Sequence, residues 1–104
     1  MKERLPLVTI MGPTGVGKTD LAISLCKTVS SEIINVDSVQ VYKGMDIGTG
    51  KPSKEILDKY PHNLLSFIDP WKSYSTALFI NDATREIDLC DKSKKVPLLV
   101  GGTM

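Results

Sequence analysis

Little in this chain is paired, one-signed or long and apolar. It has two cysteines, Cys26 and Cys90, sixty-odd residues apart and both in helical contexts. No close Cys/His spacing suggests zinc or a redox dithiol, so two buried thiols in a reducing compartment are expected. No charge of one sign dominates: 13 basic and 12 acidic residues leave a net charge of +1. That balance neither argues for a nucleic-acid partner nor excludes one. No apolar run approaches the roughly 20 residues that span a bilayer. The opening MKERLPLVTIMGPTG has too short an apolar stretch before Gly12 and Pro13, and no small-residue cleavage site, to be a signal peptide. A cytoplasmic, monomeric protein with no membrane partner is expected. There is no internal repeat and no low-complexity tract.

What is present fits one small domain: 104 residues, 41% apolar and 24% charged. Leu5–Met11 reads as a buried parallel strand, with Pro6 tolerable at its opening. From Lys18 to Val29 the period becomes helical, with Leu21, Ala22, Leu25, Cys26 and Val29 on one face. Glu32–Val36 is a second strand ending at Asp37. Residues 38–63 hold three glycines and two prolines and read as loop, with a short helix near Ser53–Lys59 capped by Ser53. A third strand is expected at Leu64–Ile68. Ser75 caps a helix running to about Lys92, with Phe79, Ile80, Ala83, Ile87 and Cys90 on one face. Lys94 and Lys95 suit its C-terminal end. Val96–Val100 is the last strand, closed by Gly101-Gly102. Alternating strands and helices predict an α/β fold, a P-loop NTPase-like parallel sheet flanked by helices. The sequence stops at LLVGGTM, a strand and turn whose backbone groups need neighbours. The chain is therefore expected to be the N-terminal part, residues 1–104, of a single longer catalytic domain.

The strongest chemical signal is Gly12-Pro13-Thr14-Gly15-Val16-Gly17-Lys18-Thr19, a full match to G-x-x-x-x-G-K-[ST] between a strand and a helix. Glycines let backbone N–H groups curl around phosphate oxygens, and the following helix adds its positive N-terminal end. Lys18 brings a point charge, and the Thr19 hydroxyl is placed to meet Mg²⁺. Such a loop binds diphosphates and triphosphates, ATP included, and does not name a reaction.

Ligands of open α/β sheets lie beyond the carboxyl ends of the strands. Those ends here are the P-loop, Asp37-Ser38-Val39-Gln40-Val41-Tyr42 and Gly101-Gly102-Thr103. Asp37 reads as a general base or hydrogen-bond acceptor, or equally as an N-cap or an Asx-turn residue ending its strand. Thr103 reads as a donor to substrate or as the cap of a following helix. Many P-loop ATPases carry a later strand ending in a Mg²⁺-binding aspartate. Val96–Val100 ends instead in glycine, which counts against ATP hydrolysis and against a small-molecule P-loop kinase.

These residues resemble a known family, the tRNA dimethylallyltransferases (tRNA isopentenyltransferases). The resemblance is carried by GPTGVGKTDLA at 12–22, VDSVQVYKGMDIGTGKP at 36–52, PHNLL at 61–65 and VPLLVGGTM at 96–104. It implies transfer of the prenyl group of dimethylallyl diphosphate to N6 of the adenine just 3′ of the anticodon, assisted by Mg²⁺. By the same resemblance, Gly12–Thr19 hold the diphosphate, with Lys18 neutralising it as it leaves and Thr19 on the metal. Asp37 faces the N6 amine, Asp37, Ser38, Val39, Gln40 and Thr103 touch the tRNA nucleotide, and Thr103 lies near the reacting centre. Position 63 is Asn where many relatives carry His or Arg, and Gly50 stands where alanine is common; no catalytic role is assigned to His62 or Asn63. The family's later segments, including an inserted helical region that clasps the anticodon arm, are not in these 104 residues. Three other readings stay open at this point: an isopentenyltransferase acting on free adenine nucleotides, a small-molecule P-loop kinase, and a module that only binds diphosphate.

Overall fold

In the computed structural model, residues 7–12, 17–37, 41–44 and 52–101 are described. Seven elements follow one another: β1 (Val8–Met11), α1 (Lys18–Thr28), β2 (Ser31–Asn35), α2 (Lys54–Lys59), β3 (His62–Asn63), α3 (Thr76–Lys92) and β4 (Val96–Gly101). The strands form one parallel sheet in the order β1-β4-β2-β3. Ile10 pairs with Val100, and Ile33 with both Leu98 and His62. The last strand is thus inserted between the first two, which puts the carboxyl ends of β1, β4 and β2 side by side.

Alternation along the strands sends side chains to opposite faces. Ile10, Ile33, Val96, Leu98 and Val100 gather with Ala22 of α1, joined by Val8, Leu25, Cys26 and Tyr60. The residues of opposite parity meet α3: Glu32 accepts from the Cys90 thiol at 3.2 Å, and the Asn63 amide donates to Glu86 at 3.3 Å. Helices therefore cover both faces. Pro97 survives in a central strand because of parity. Val96 donates to Ser30 and Val100 accepts from Val36, so Pro97's missing N–H faces β1, at a level where β1 has not yet begun.

Helix boundaries follow local chemistry. The Ser53 and Ser75 hydroxyls accept from the Ile56 and Leu78 N–H groups, at 3.3 and 3.1 Å, capping α2 and α3 as expected. α3 ends with Lys94 in the left-handed region at φ 58°, which turns the Lys95 N–H back onto the Cys90 carbonyl at 2.9 Å. Lys95 then pairs with Glu32 at 3.4 Å. The apolar helix faces are narrower than the periodicity predicts. Leu21 and Val29 at the margins of α1, and Ile80 on α3, stay exposed, while Ala22 and Cys90 are buried.

The third strand is displaced. Pairing with β2 occurs at His62–Asn63, one step before the expected Leu64–Ile68. Leu64 and Ser66 both take left-handed φ, 61° and 52°, which no strand continues through. Phe67 and Ile68 instead fold back and donate to the Val41 carbonyl at 2.9 and 3.0 Å, and Ile68 forms an isolated parallel bridge with Tyr42. The cause is the apolar run's dual allegiance: Val41 is fully buried and offers a better anchor for the end of the run than a longer edge strand.

Candidate active site

Three strand ends converge at the carboxyl edge of the sheet. The Gly12 N–H donates to the Gly101 carbonyl at 3.3 Å, and the Val36 N–H to the Val100 carbonyl at 2.9 Å. β1, β4 and β2 are thereby laced together at the point where each chain leaves the sheet. Gly101 makes this closeness feasible. A Cβ there would lie 2.5 Å from Val36 Cγ2 and 3.0 Å from the Val36 carbonyl carbon, so only glycine lets the β2 end approach. The approaching group is the protein's own backbone.

Gly17 is a glycine for a different reason. It stands at φ 80° as the residue before α1, and a Cβ there would touch nothing. What it requires is the left-handed conformation, which other L residues adopt only at a cost. It offers α1 no side-chain cap. The first helical bond is Leu21 N–H to Gly17 carbonyl, 3.0 Å, which leaves the N–H groups of Lys18, Thr19 and Asp20 without intrahelical partners. An end of this kind is a site for anions.

Lys18 begins α1 and reaches back across the strand ends. Its ammonium donates to the Gly12 carbonyl at 2.5 Å and to the Gly101 carbonyl at 3.0 Å. Thr19 follows in the same first turn, half-buried. Asp37, half-buried, is the second residue beyond β2, on the same edge.

Asn35 was not singled out by sequence reasoning, yet it organises this rim. It is 3% exposed. Its side-chain oxygen accepts from the Asp37 N–H at 3.1 Å, and its amide nitrogen donates to the carbonyls of Asp37 and Leu64 at 3.1 and 3.0 Å. One amide thus closes an Asx-type turn around Asp37 and ties it to the segment after β3. The available signal was the polar residue closing the apolar strand Glu32-Ile33-Ile34-Asn35. The Asx turn seen at this strand end is formed by Asn35.

Of the sequence-predicted site residues, the structure brings Gly12, Gly17, Lys18, Thr19 and Asp37 to one edge. Pro13, Thr14, Gly15, Val16, Ser38, Val39, Gln40 and Thr103 lie outside the described residues. Among the described residues no cluster of three or more His, Cys, Asp or Glu is placed to hold a metal ion. His62 pairs with Ile33 inside the sheet, its Nδ1 2.8 Å from the Tyr60 carbonyl. Burial holds its pKa below the ordinary 6.5, against the opposing pull of that carbonyl. Cys90 is inert by the same logic: burial first, then its hydrogen bond to Glu32, pushes its pKa up to about 12.

A parallel sheet with a lysine-bearing helix N-terminus at the carboxyl ends of its strands is the arrangement of a P-loop-like α/β fold. Comparison with known proteins narrows this class. The profile of the IPP transferase family matches residues 40–104, and that of the isopentenyl transferases matches residues 5–65. The chain belongs to the IPP transferase family. It is 47% identical to the full-length tRNA isopentenylpyrophosphate transferase of Bacillus halodurans, with a TM-score of 0.87 over 98% of this chain and 33% of that one. A tRNA delta(2)-isopentenylpyrophosphate transferase from Staphylococcus epidermidis is 40% identical, with a TM-score of 0.85 over 95% of this chain and 33% of its own. A eukaryotic dimethylallyltransferase acting on tRNA is 34% identical, with a TM-score of 0.85 over 91% of this chain and 24% of its own. The chain therefore spans about a third or less of these relatives.

Proposed function

We propose that this chain carries the donor-binding end of a tRNA dimethylallyltransferase, which moves the prenyl group of dimethylallyl diphosphate to N6 of the adenine 3′ of the anticodon. The observation that carries the reading is the junction of Lys18, Gly12 and Gly101 beside Asp37, found in a chain of the IPP transferase family. The acceptor is inferred from the solved relatives, whose names specify tRNA.

The residues suit that chemistry. An N6 amine is a weak nucleophile because its lone pair is delocalised into the ring. In the proposed step it attacks the first carbon of the prenyl chain, the carbon–oxygen bond breaks, and diphosphate departs with the electron pair. Asp37 orients the amine and accepts its proton. Lys18, the α1 N–H groups and the P-loop amides take up the charge that grows on the leaving diphosphate. Mg²⁺ would be held by the Thr19 hydroxyl together with diphosphate oxygens, supplying further neutralisation; magnesium is commonly bound through one or two protein groups plus phosphates. Adenine must leave its stack to reach the rim, at a cost of roughly a few kcal/mol. Gln40 offers an amide that both donates and accepts, matching an adenine edge, and Ser38, Val39 and Thr103 are assigned to the same nucleotide. The free thiols fit a cytoplasmic setting, and the enzyme is read as a monomer.

The test is labelled prenyl transfer by the enzyme at its relatives' length, offered tRNA, free AMP, or ATP with a small metabolite. Transfer to tRNA is expected. Asp37→Ala should lower turnover by about 10²-fold or more while leaving donor binding nearly intact. Lys18→Ala should instead weaken the diphosphate itself. Unchanged turnover in Asp37→Ala would remove Asp37 as the base, and transfer to AMP alone would move the acceptor to the free nucleotide.

A further inference from the structure

Asp69-Pro70-Trp71-Lys72 forms a tight turn in which the Lys72 N–H donates to the Asp69 carbonyl at 3.0 Å. Proline in second place presets the turn. The third place tolerates most residues, so nothing in the turn itself asks for an indole. Yet Trp71 stands there 80% exposed, the most exposed large apolar side chain among the described residues. An indole ordinarily buries roughly 150–250 Å².

The turn is fastened to the Val41–Lys43 segment. Val41, four residues past Asp37, is fully buried, and its carbonyl accepts from both Phe67 and Ile68. The Lys43 N–H donates to the Ile68 carbonyl at 2.8 Å, and the Lys43 ammonium lies 3.5 Å from Asp69. Beneath it, Phe67 and Tyr74 meet edge to face at 5.5 Å, Tyr74 and Phe79 at 6.4 Å, and the Tyr74 hydroxyl donates to Asp82 at 2.5 Å. The indole therefore projects from a braced turn tied to Val41 and Lys43, with the exposed Lys72 next to it in the chain and the exposed Lys43 paired to Asp69 of the same turn.

An exposed aromatic face flanked by ammonium groups is how proteins hold unpaired bases, because every base has a π-face and a neighbouring phosphate. We propose that Trp71 is a stacking platform for an unpaired nucleobase of the RNA acceptor, with Lys43 and Lys72 serving the adjoining phosphates. This rests on the tRNA reading above and adds a binding residue outside the P-loop and Asp37 motifs. The lysines favour RNA over an apolar segment of polypeptide as the occupant.

The experiment uses the enzyme at its relatives' length with an anticodon stem-loop RNA. Trp71→Ala should raise KM for the RNA about tenfold with kcat and donor binding little changed, and Trp71→Phe should keep most of the affinity. Trp71 is the one tryptophan of these 104 residues. Its fluorescence, taken as the difference between wild type and Trp71→Phe, should be quenched by RNA and not by dimethylallyl diphosphate. An active enzyme whose Trp71→Ala variant keeps its KM overturns this proposal alone. So does a Trp71 signal shielded from acrylamide before RNA is added, since the rest of the polypeptide would then cover the indole. A wild-type enzyme that neither binds nor prenylates RNA overturns the tRNA reading and this proposal with it.

Discussion

An ammonium has three N–H donors, and Lys18 gives two of them to the carbonyls of Gly12 and Gly101. The lysine is thus held at the junction of β1 and β4 by backbone groups that no side-chain substitution removes. Arg is a poor replacement, since a planar fork does not fit a site built for a compact charge. Gly101 is the residue on which this junction most depends. Gly101→Ala forces a Cβ against Val36 backbone as well as its side chain, and backbone yields less easily than a side-chain end. We expect a loss of about 1–3 kcal/mol, read as a lower midpoint in urea. Gly17→Ala meets no obstacle, and its cost is confined to the left-handed backbone, about 1–2 kcal/mol.

At the scale of elements, the rim is a set of loops held by a few side chains. β2 and β3 are short, five and two residues, and β3 contributes little ladder. Asn35 compensates by bridging Asp37 and Leu64. Asn35→Ala strands buried backbone groups on both sides and should cost about 1–3 kcal/mol, measured by chemical denaturation. If Asn35 positions Asp37, turnover should also fall while donor binding persists; a merely structural role would lower stability and leave the turnover of the folded fraction unchanged. The caps of α2 and α3 were legible in the sequence, because serine before a helical run is a local instruction. The displacement of β3 was not, because Leu64–Ile68 has the composition of a strand. Its path is decided by Val41, more than twenty residues away. The width of each helix face was likewise over-read. Periodicity marks which residues can turn inward, and only the neighbouring layer decides how many find cover.

For the whole molecule, α1 closes one face of the sheet and α3 packs on β4 and β2 across the other. On that second face Thr9 and Met11 of β1 remain exposed, so the sheet is less covered at β1 than at its centre. Its pH response follows from two buried groups. His62 is held below 6.5 in the fold by burial, so the unfolded chain binds its proton more readily. Stability is then present above 6.5 and declines as pH falls below it. Cys90 is raised to about 12 from an ordinary 9.0, so its contribution is intact below 9 and declines as pH rises from there toward 12. Unfolding by urea at a series of pH values should give a plateau between these limits, and His62→Leu should flatten the acid side.

The sequence by itself determined the alternation of strands and helices, the serine caps and, through resemblance, the family. Each is written in residues close together along the chain, and local spacing is enough to read them. The tertiary structure decided that β4 lies between β1 and β2, that Lys18 docks on the Gly101 carbonyl 83 residues away, and that Asn35 fixes Asp37. It also decided that Trp71 stands outside the core. These depend on strand order and on close packing between distant segments, where a single Cβ or a single amide determines which backbones can meet.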